Sequence, residues 1–340
     1  MIYRSRAPLR IGLAGGGTDV SPYSDIYGGA ILNATINLFA HASIEPIEEN
    51  AIIVQALDRH EEQRFEWNNE LPIDGRLDLL KGVYNRVQRD YGVPLTGFKL
   101  STYVDAPAGS GLGTSSTLVV AIIGAFYEML RLPLGEYDIA HYAYDIERSD
   151  LKLAGGKQDQ YAATFGGVNF MEFYEGDQVI VNPLRIKQQI LNELENNLVL
   201  YFTSTSRESA TIIKEQVNNV NAKNEKSIEA MHQLKEQAKM MKEAMLKGRL
   251  HEIGEILDFG FQQKRRMAAN ISNSDIEEVY KAAKKAGATG GKISGAGGGG
   301  FMIFYCPGNN RYQVIETLEK FGGRAKHYQF AQNGLNTWTV

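Results

Sequence analysis

Apolar and polar residues change their period several times along the chain, and the changes divide it. Residues 30–42, 51–56 and 98–104 are short runs rich in β-branched and aromatic residues, and they predict strands. Residues 77–91, 115–130 and 137–149 repeat apolar positions every three or four residues and predict helices. Strand character returns at 165–173, and Asn182-Pro183 then breaks the pattern. Beyond the break the balance shifts toward helix. A strand is predicted at 198–203, an amphipathic helix pair over 207–247, and further helices at 250–269 and 275–286. A strand at 301–305, a helix near 312–321 and a closing strand complete the chain. Within the helix pair, Met231, Met240, Met241 and Met245 read as packing, and the Lys/Glu alternation from Lys214 to Lys247 reads as a solvated face.

At 340 residues the chain exceeds the roughly 250–300 that one core serves, so two domains sharing a cleft are expected. The pattern break places the division between 185 and 195, giving domains 1–190 and 191–340. A net charge of −4 gives no reason to expect nucleic acid or an anionic membrane as partner. One cysteine, Cys306, rules out an intrachain disulfide and suits a reducing compartment. No apolar run follows Met1–Arg6, and the uncharged stretch 118–127 is too short to span a bilayer. A soluble, cytoplasmic protein is expected.

Three glycine-rich segments punctuate this pattern, at 12–19, 108–116 and 292–300. The middle one runs Asp105-Ala106-Pro107-Ala108-Gly109-Ser110-Gly111-Leu112-Gly113-Thr114-Ser115-Ser116, between a predicted strand and a predicted helix. Glycines at 109, 111 and 113 let the backbone turn tightly and bring N–H groups to an anion, and the helix adds its positive end. Thr114, Ser115 and Ser116 either cap that helix or offer a hydroxyl to a phosphate-bound cation. No stretch supplies G-x-x-x-x-G-K-[ST]. The G-x-G-x-x-G at 295–300 precedes a strand rather than a helix, which removes the dinucleotide reading. No V-A-I-K strand or H-R-D loop supports a protein kinase. A fourth element, Gly155-Gly156-Lys157-Gln158-Asp159, sets a carboxylate where it could cap a short helix or act chemically.

In order and separation, the three segments resemble the signature motifs of the GHMP kinase superfamily. Ala7-Pro8-Leu9-Arg10-Ile11-Gly12-Leu13-Ala14-Gly15-Gly16-Gly17-Thr18-Asp19 is similar to the first, Pro107–Ser116 to the second, and Lys292–Gly300 to the third. The resemblance implies an α+β fold of two domains, an N-terminal ribosomal-protein-S5-like α/β domain and a C-terminal ferredoxin-like α+β domain. It also implies ATP and Mg²⁺ as cofactors. Asp159 is then the group facing the accepting hydroxyl and Arg10 the cation facing Asp159. Residues 109–116 hold the nucleotide phosphates, and Ser115 and Glu147 hold the metal. Gly16, Gly17, Thr18, Asp19, Gly297 and Gly298 form the sugar site. Lys157 and Lys292 are further candidate phosphate partners.

Where galactokinase-like members carry G-E-H-T-D, this chain reads Gly15-Gly16-Gly17-Thr18-Asp19, keeping the Asp and replacing both larger residues. That pattern is similar to the heptose-phosphate kinases and the kinase half of fucokinases, which phosphorylate an anomeric hydroxyl. Gly16 and Gly17 would then leave room for a longer sugar arm. An acceptor already bearing a 7-phosphate needs a second anion site, for which Arg207, after the predicted strand 198–203, is the candidate. Kinases of an unphosphorylated sugar, isoprenoid or amino-acid kinases, and a non-catalytic sensor are the alternatives.

Overall fold

The computed structural model describes residues 1–94, 97–203 and 209–340. Twelve strands among these residues form two sheets. The first contains β1 (Tyr3–Ala14), β2 (Gly29–Pro46), β3 (Ala51–Ala56), β4 (Glu61–Glu66), β5 (Phe98–Val104), β6 (Val168–Phe173) and β7 (Val179–Pro183). The long β2 pairs β6 through Gly29–Ala34 and β5 through Ala40–Pro46, while β1 lies antiparallel along its other edge. Register slips between Pro8 and Arg10 and between Gly12 and Ala14 bend β1 where the first glycine motif begins. Proline and basic residues hid this strand from the sequence pattern, yet it is buried almost from Ser5 onward.

Five helices accompany this sheet: α1 (Tyr23–Tyr27), α2 (Asp78–Tyr91), α3 (Thr114–Leu130), α4 (Glu136–Asp145) and α5 (Gln158–Phe165). Helix α3 buries Val119 through Ile123, Ala125 and Phe126, so it is apolar nearly all round and occupies the centre of the layer. The predicted strands 51–56 and 98–104 and helix 115–130 agree with β3, β5 and α3 to within a residue.

The second sheet contains β8 (Leu198–Phe202), β9 (Gly290–Ile293), β10 (Phe301–Tyr305) and β11 (Arg324–Lys326), in the order β11-β8-β10-β9 with all pairs antiparallel. That order, with helices between β8 and β9 and between β10 and β11, is the ferredoxin-like split βαβ arrangement. Its helices are α6 (Gln188–Asn197), α7 (Ser209–Asn221), α8 (Glu225–Leu246), α9 (Ile253–Lys264), α10 (Ser274–Lys285) and α11 (Arg311–Glu319). Met241 and Met245 of α8 pack with Leu9, Ile11 and Leu32 of the first sheet and Leu200 and Ile303 of the second, so one core cluster joins the two halves. Met231 is also buried, whereas Met240 is exposed and corrects the packing expected of it.

The closing strand, β12 (Asn336–Thr339), does not stay with the second sheet. It pairs with Tyr3–Arg6 of β1, after Ala331 N–H has donated to the Thr35 carbonyl and Leu335 N–H to that of Thr164. The expected division 1–190 and 191–340 is therefore corrected at its end, because β1 offers an open edge that the tail completes.

Candidate active site

The middle glycine segment connects β5 to α3 with Gly109, Gly111 and Gly113 at positive φ of 71°, 82° and 76°. A Cβ on Gly111 would stand 2.5 Å from the Ser294 carbonyl oxygen, so the third glycine segment approaches here only because residue 111 has no side chain. Phe301 N–H donates to the Ser110 carbonyl at 2.8 Å, and Ser294 Oγ donates to the Gly111 carbonyl at 2.8 Å. Not every side chain of the loop faces outward. Ser110 is buried and Leu112 enters the core shared by the two halves, so these two residues can offer a ligand only their backbone N–H groups. Gly109, Gly111, Gly113, Thr114, Ser115 and Ser116 line the cleft. No side-chain hydrogen bond caps α3, whose first turn faces the cleft with Thr114, Ser115 and Ser116.

Arg10 and Asp159 meet across this cleft. The Arg10 Nε donates to Asp159 Oδ1 at 2.7 Å, its Nη2 lies 2.6 Å from the same oxygen, and its Nη1 donates to the Gly111 carbonyl at 2.6 Å. One guanidinium thus ties the strand of the first motif to the carboxylate at the start of α5 and to the phosphate loop. Asp19 is buried beside them, accepting from the Gln158 N–H at 3.1 Å. Burial and the nearby Asp159 charge raise its pKa against the opposing pull of that N–H and of Arg10. Gly156 must be glycine, because a Cβ there would overlap the Asp19 carboxylate.

Other expected contacts resolve differently. Thr18 is fully buried and its hydroxyl bonds the Gly15 and Ala30 carbonyls, so it holds the turn rather than a sugar. Lys157 is also buried, 2.8 Å from Asp177 and 3.2 Å from Asp25, and these carboxylates remove it from the phosphate partners. Gly297 and Gly298 are packed on Ile271, with the Gly298 N–H donating to its carbonyl; Gly295 and Ala296 line the cleft in their place. Gly17 is also less open than expected, since a Cβ there would stand 2.7 Å from Met267 Cε. Arg207 lies outside the described residues.

After α4 the helix widens into a π turn, Ile146–Asp150, a form often found at functional sites. It sets Glu147 and Arg148 side by side on the cleft wall. Glu147 is buried; it accepts from Ser116 Oγ at 3.0 Å and from the Gln160 amide. Ser115, expected to hold a metal ion together with Glu147, stands exposed to the same cleft. Burial raises the Glu147 pKa, with Asp159 adding to the rise and Arg148, Ser116 and Gln160 opposing it. Among the described residues no three His, Cys, Asp or Glu side chains group closely enough to hold a metal ion by themselves.

Two buried lysines complete the floor. Lys292 Nζ donates to the Gly12 carbonyl at 2.6 Å, and Lys264 Nζ to the Gly295 carbonyl at 2.6 Å. Burial, with the charges of Lys264 and Arg10, pushes Lys292 well below the ordinary lysine range. Burial brings Lys264 down to about 8, with Asp19 opposing and Arg10 assisting. Lys264, Gln216 and Gln160 were not anticipated. A signal was present for Lys264: Ile253, Ile256, Leu257, Gly260 and Phe261 form the buried stripe of α9, and Lys264 continues it at helical spacing.

Comparison with known proteins agrees with this geometry. The GHMP kinases N-terminal domain model matches residues 78–167, and the GHMP kinases C-terminal model matches residues 241–324. The chain is 47% identical over 337 residues to the D-glycero-alpha-D-manno-heptose 7-phosphate kinase of Campylobacter jejuni, covering 99% of each. Among solved structures it is similar to a D-glycero-D-manno-heptose 1-phosphate kinase from Bacteroides thetaiotaomicron, with a TM-score of 0.85, 46% identity and 99% of both chains covered. Lactococcus lactis galactokinase shares the fold at a TM-score of 0.77 and 17% identity, over 98% of this chain and 95% of that one. Matched at nearly half its positions over 99% of its length, and by both domain models of the family, this chain belongs to the GHMP kinase family.

Proposed function

We propose that this kinase transfers the γ-phosphoryl group of ATP to the anomeric hydroxyl of D-glycero-D-manno-heptose 7-phosphate, giving the 1,7-bisphosphate. The observation that carries the reading is the full-length similarity to the Campylobacter jejuni enzyme. The cleft supports it with a paired Arg10 and Asp159 beside the buried Asp19.

Phosphoryl transfer asks mainly for positioning and charge neutralisation. The nucleotide phosphates would lie on Gly109–Ser116 at the uncapped start of α3. Asp159 would orient the acceptor hydroxyl and take its proton, while Arg10 fixes the carboxylate in one rotamer and balances its charge. Asp19, fixed by the Gln158 N–H, would accept from sugar hydroxyls. Glu147 and Ser115 present oxygen donors on one wall, the chemistry Mg²⁺ prefers, and would share the ion with the nucleotide. When bound, that ion would neutralise phosphate charge. No helix among the described residues is long and apolar enough to cross a membrane, and we expect the enzyme to act in the cytoplasm on a small sugar phosphate.

An ADP-release assay across heptose 7-phosphate, unphosphorylated heptose, L-fucose, galactose and mevalonate tests the reading. Heptose 7-phosphate should give the highest kcat/KM. A neutral hexose or L-fucose better by tenfold would overturn the heptose-phosphate assignment, and ATP binding without turnover of any acceptor would favour a sensor.

A further inference from the structure

The cleft carries more positive charge than its own carboxylates balance. Arg10 is paired with Asp159, and Arg148 stands 3.8 Å from Glu147, which leaves Lys264 and Lys292 to share Asp19. Neither lysine forms an ion pair with it. Asp19 spends its oxygens on Gln158, and each ammonium donates to one backbone carbonyl. An ammonium has three donors, and burying one with two of them unused is costly unless a ligand supplies the acceptors.

Each lysine lies beside a glycine of the first motif, Lys292 beside Gly12, where a Cβ would stand 3.9 Å from the Lys292 Nζ, and Lys264 beside Gly16. A Cβ on Gly16 would stand 3.6 Å from its Nζ, so the missing side chain at 16 is what exposes the ammonium to the cleft. Gly17 is filled from the same side by Met267, so the opening is confined to residue 16. The whole cleft has a volume of about 180 Å³ and runs past Asp19 and Val20 to Ile213 and Gln216 of α7.

We propose that Lys264 is the anion subsite for the phosphate the acceptor already carries, and so determines specificity for a phosphorylated over a neutral sugar. The inference rests on the proposed function and names the group that would recognise its substrate. Two sources could bring a phosphate to this ammonium, the acceptor or the nucleotide's γ-position. The nucleotide's phosphates have the glycine loop and the start of α3, whereas Lys264 faces Gly16 and Asp19, so the acceptor is the source that fits.

The test compares the full-length wild type with K264M and K264Q, either of which suffices if the other fails to fold. KM for heptose 7-phosphate should rise about ten- to a hundredfold, as for loss of a charge-assisted contact. KM for ATP and kcat/KM for unphosphorylated heptose should stay within about twofold. Unchanged discrimination between the two heptoses, or a rise confined to the KM of ATP, would overturn the proposal. A second arm uses inorganic phosphate alone, by thermal shift with a saturating non-hydrolysable ATP analogue filling the nucleotide sites. Phosphate should stabilise the wild type and not the variants, and equal stabilisation of both would also refute the subsite. If the wild type phosphorylates no heptose, the proposed function falls and this phosphate arm decides the subsite by itself.

Discussion

Among the described residues four lysines are buried, and they fall into two kinds. Lys81 lies 2.5 Å from Asp74 and 3.1 Å from Asp78, and Lys157 lies 2.8 Å from Asp177 and 3.2 Å from Asp25. Among the described residues Lys264 and Lys292 bond one carbonyl oxygen each. The electrostatics follow the partners. The Lys81 hydrogen bond and the Arg76 N–H hold the Asp74 carboxyl down at about 2. For Lys157, burial pulls downward, but Asp177, Tyr144 and Asp25 outweigh it and the net shift is upward. Both cleft lysines are shifted down instead. A buried cation with two carboxylates is part of the fold, while one without any is a cost that a bound anion would offset.

Removing a group from the cleft should therefore cost turnover, and removing a paired lysine should cost stability. The largest effect is expected for Asp159→Asn, a fall in kcat of at least about a hundredfold with ATP affinity nearly unchanged. Ser115→Ala and Glu147→Gln should instead raise the Mg²⁺ concentration needed for half-maximal rate. Equal losses of ATP binding in all three, by calorimetry, would merge roles that the cleft separates.

The next effect has opposite signs in the two kinds of lysine. Lys157→Met should destabilise by about 1–3 kcal/mol, since two partly solvated carboxylates lose their partner. Lys264→Met should stabilise the unliganded protein by about 2 kcal/mol at pH 7, after allowing for the freed Gly295 carbonyl. The sign follows from the depressed ammonium. Below about pH 8 the folded state holds an unfavourable charge, and between about 8 and 10.5 it sheds that proton before the unfolded chain does. The stability gap between wild type and Lys264→Met should therefore close across that window. Denaturant melts at pH 7 and 9.5 would check it, and a gap that widens with pH would break the comparison.

The smallest effect is on binding. The charged ammonium binds phosphate, so KM for the phosphorylated acceptor should climb as pH rises through about 8, by no more than about tenfold per unit. Lys292, Arg10 and Asp19 surround the same site, and their charges set where the rise begins. KM for a neutral acceptor should not follow it. Parallel pH profiles for the two acceptors would contradict a charge-dependent contact.

Much of this was legible in the sequence because glycine loops and apolar periods are local signals. The strand, loop and helix around 98–130 depend on residues within reach of one another along the chain, and they match β5 and α3 closely. So does the Arg10–Asp159 pairing, although 149 residues separate the two, because the motif order carries it. What escaped depends on burial from distant elements. Ser110, Leu112 and Thr18 sit in the motifs expected to hold ligands, yet their side chains are buried, Leu112 in the shared core and Thr18 on the Gly15 and Ala30 carbonyls. Lys157 could not be set aside without Asp25 and Asp177, which come from elements on either side of it. The return of β12 to β1 was equally invisible, since a four-residue strand carries almost no pattern of its own.

The central claim is a phosphoryl transfer from ATP to the anomeric oxygen of a sugar that already bears a phosphate. It is tested most directly by incubating the protein with ATP, Mg²⁺ and D-glycero-D-manno-heptose 7-phosphate and recording proton-coupled ³¹P spectra of the sugar product. A second phosphorus signal coupled to the anomeric proton is the expected result. A new phosphate coupled to any other ring proton, or ADP formed with the sugar unchanged, would contradict the account.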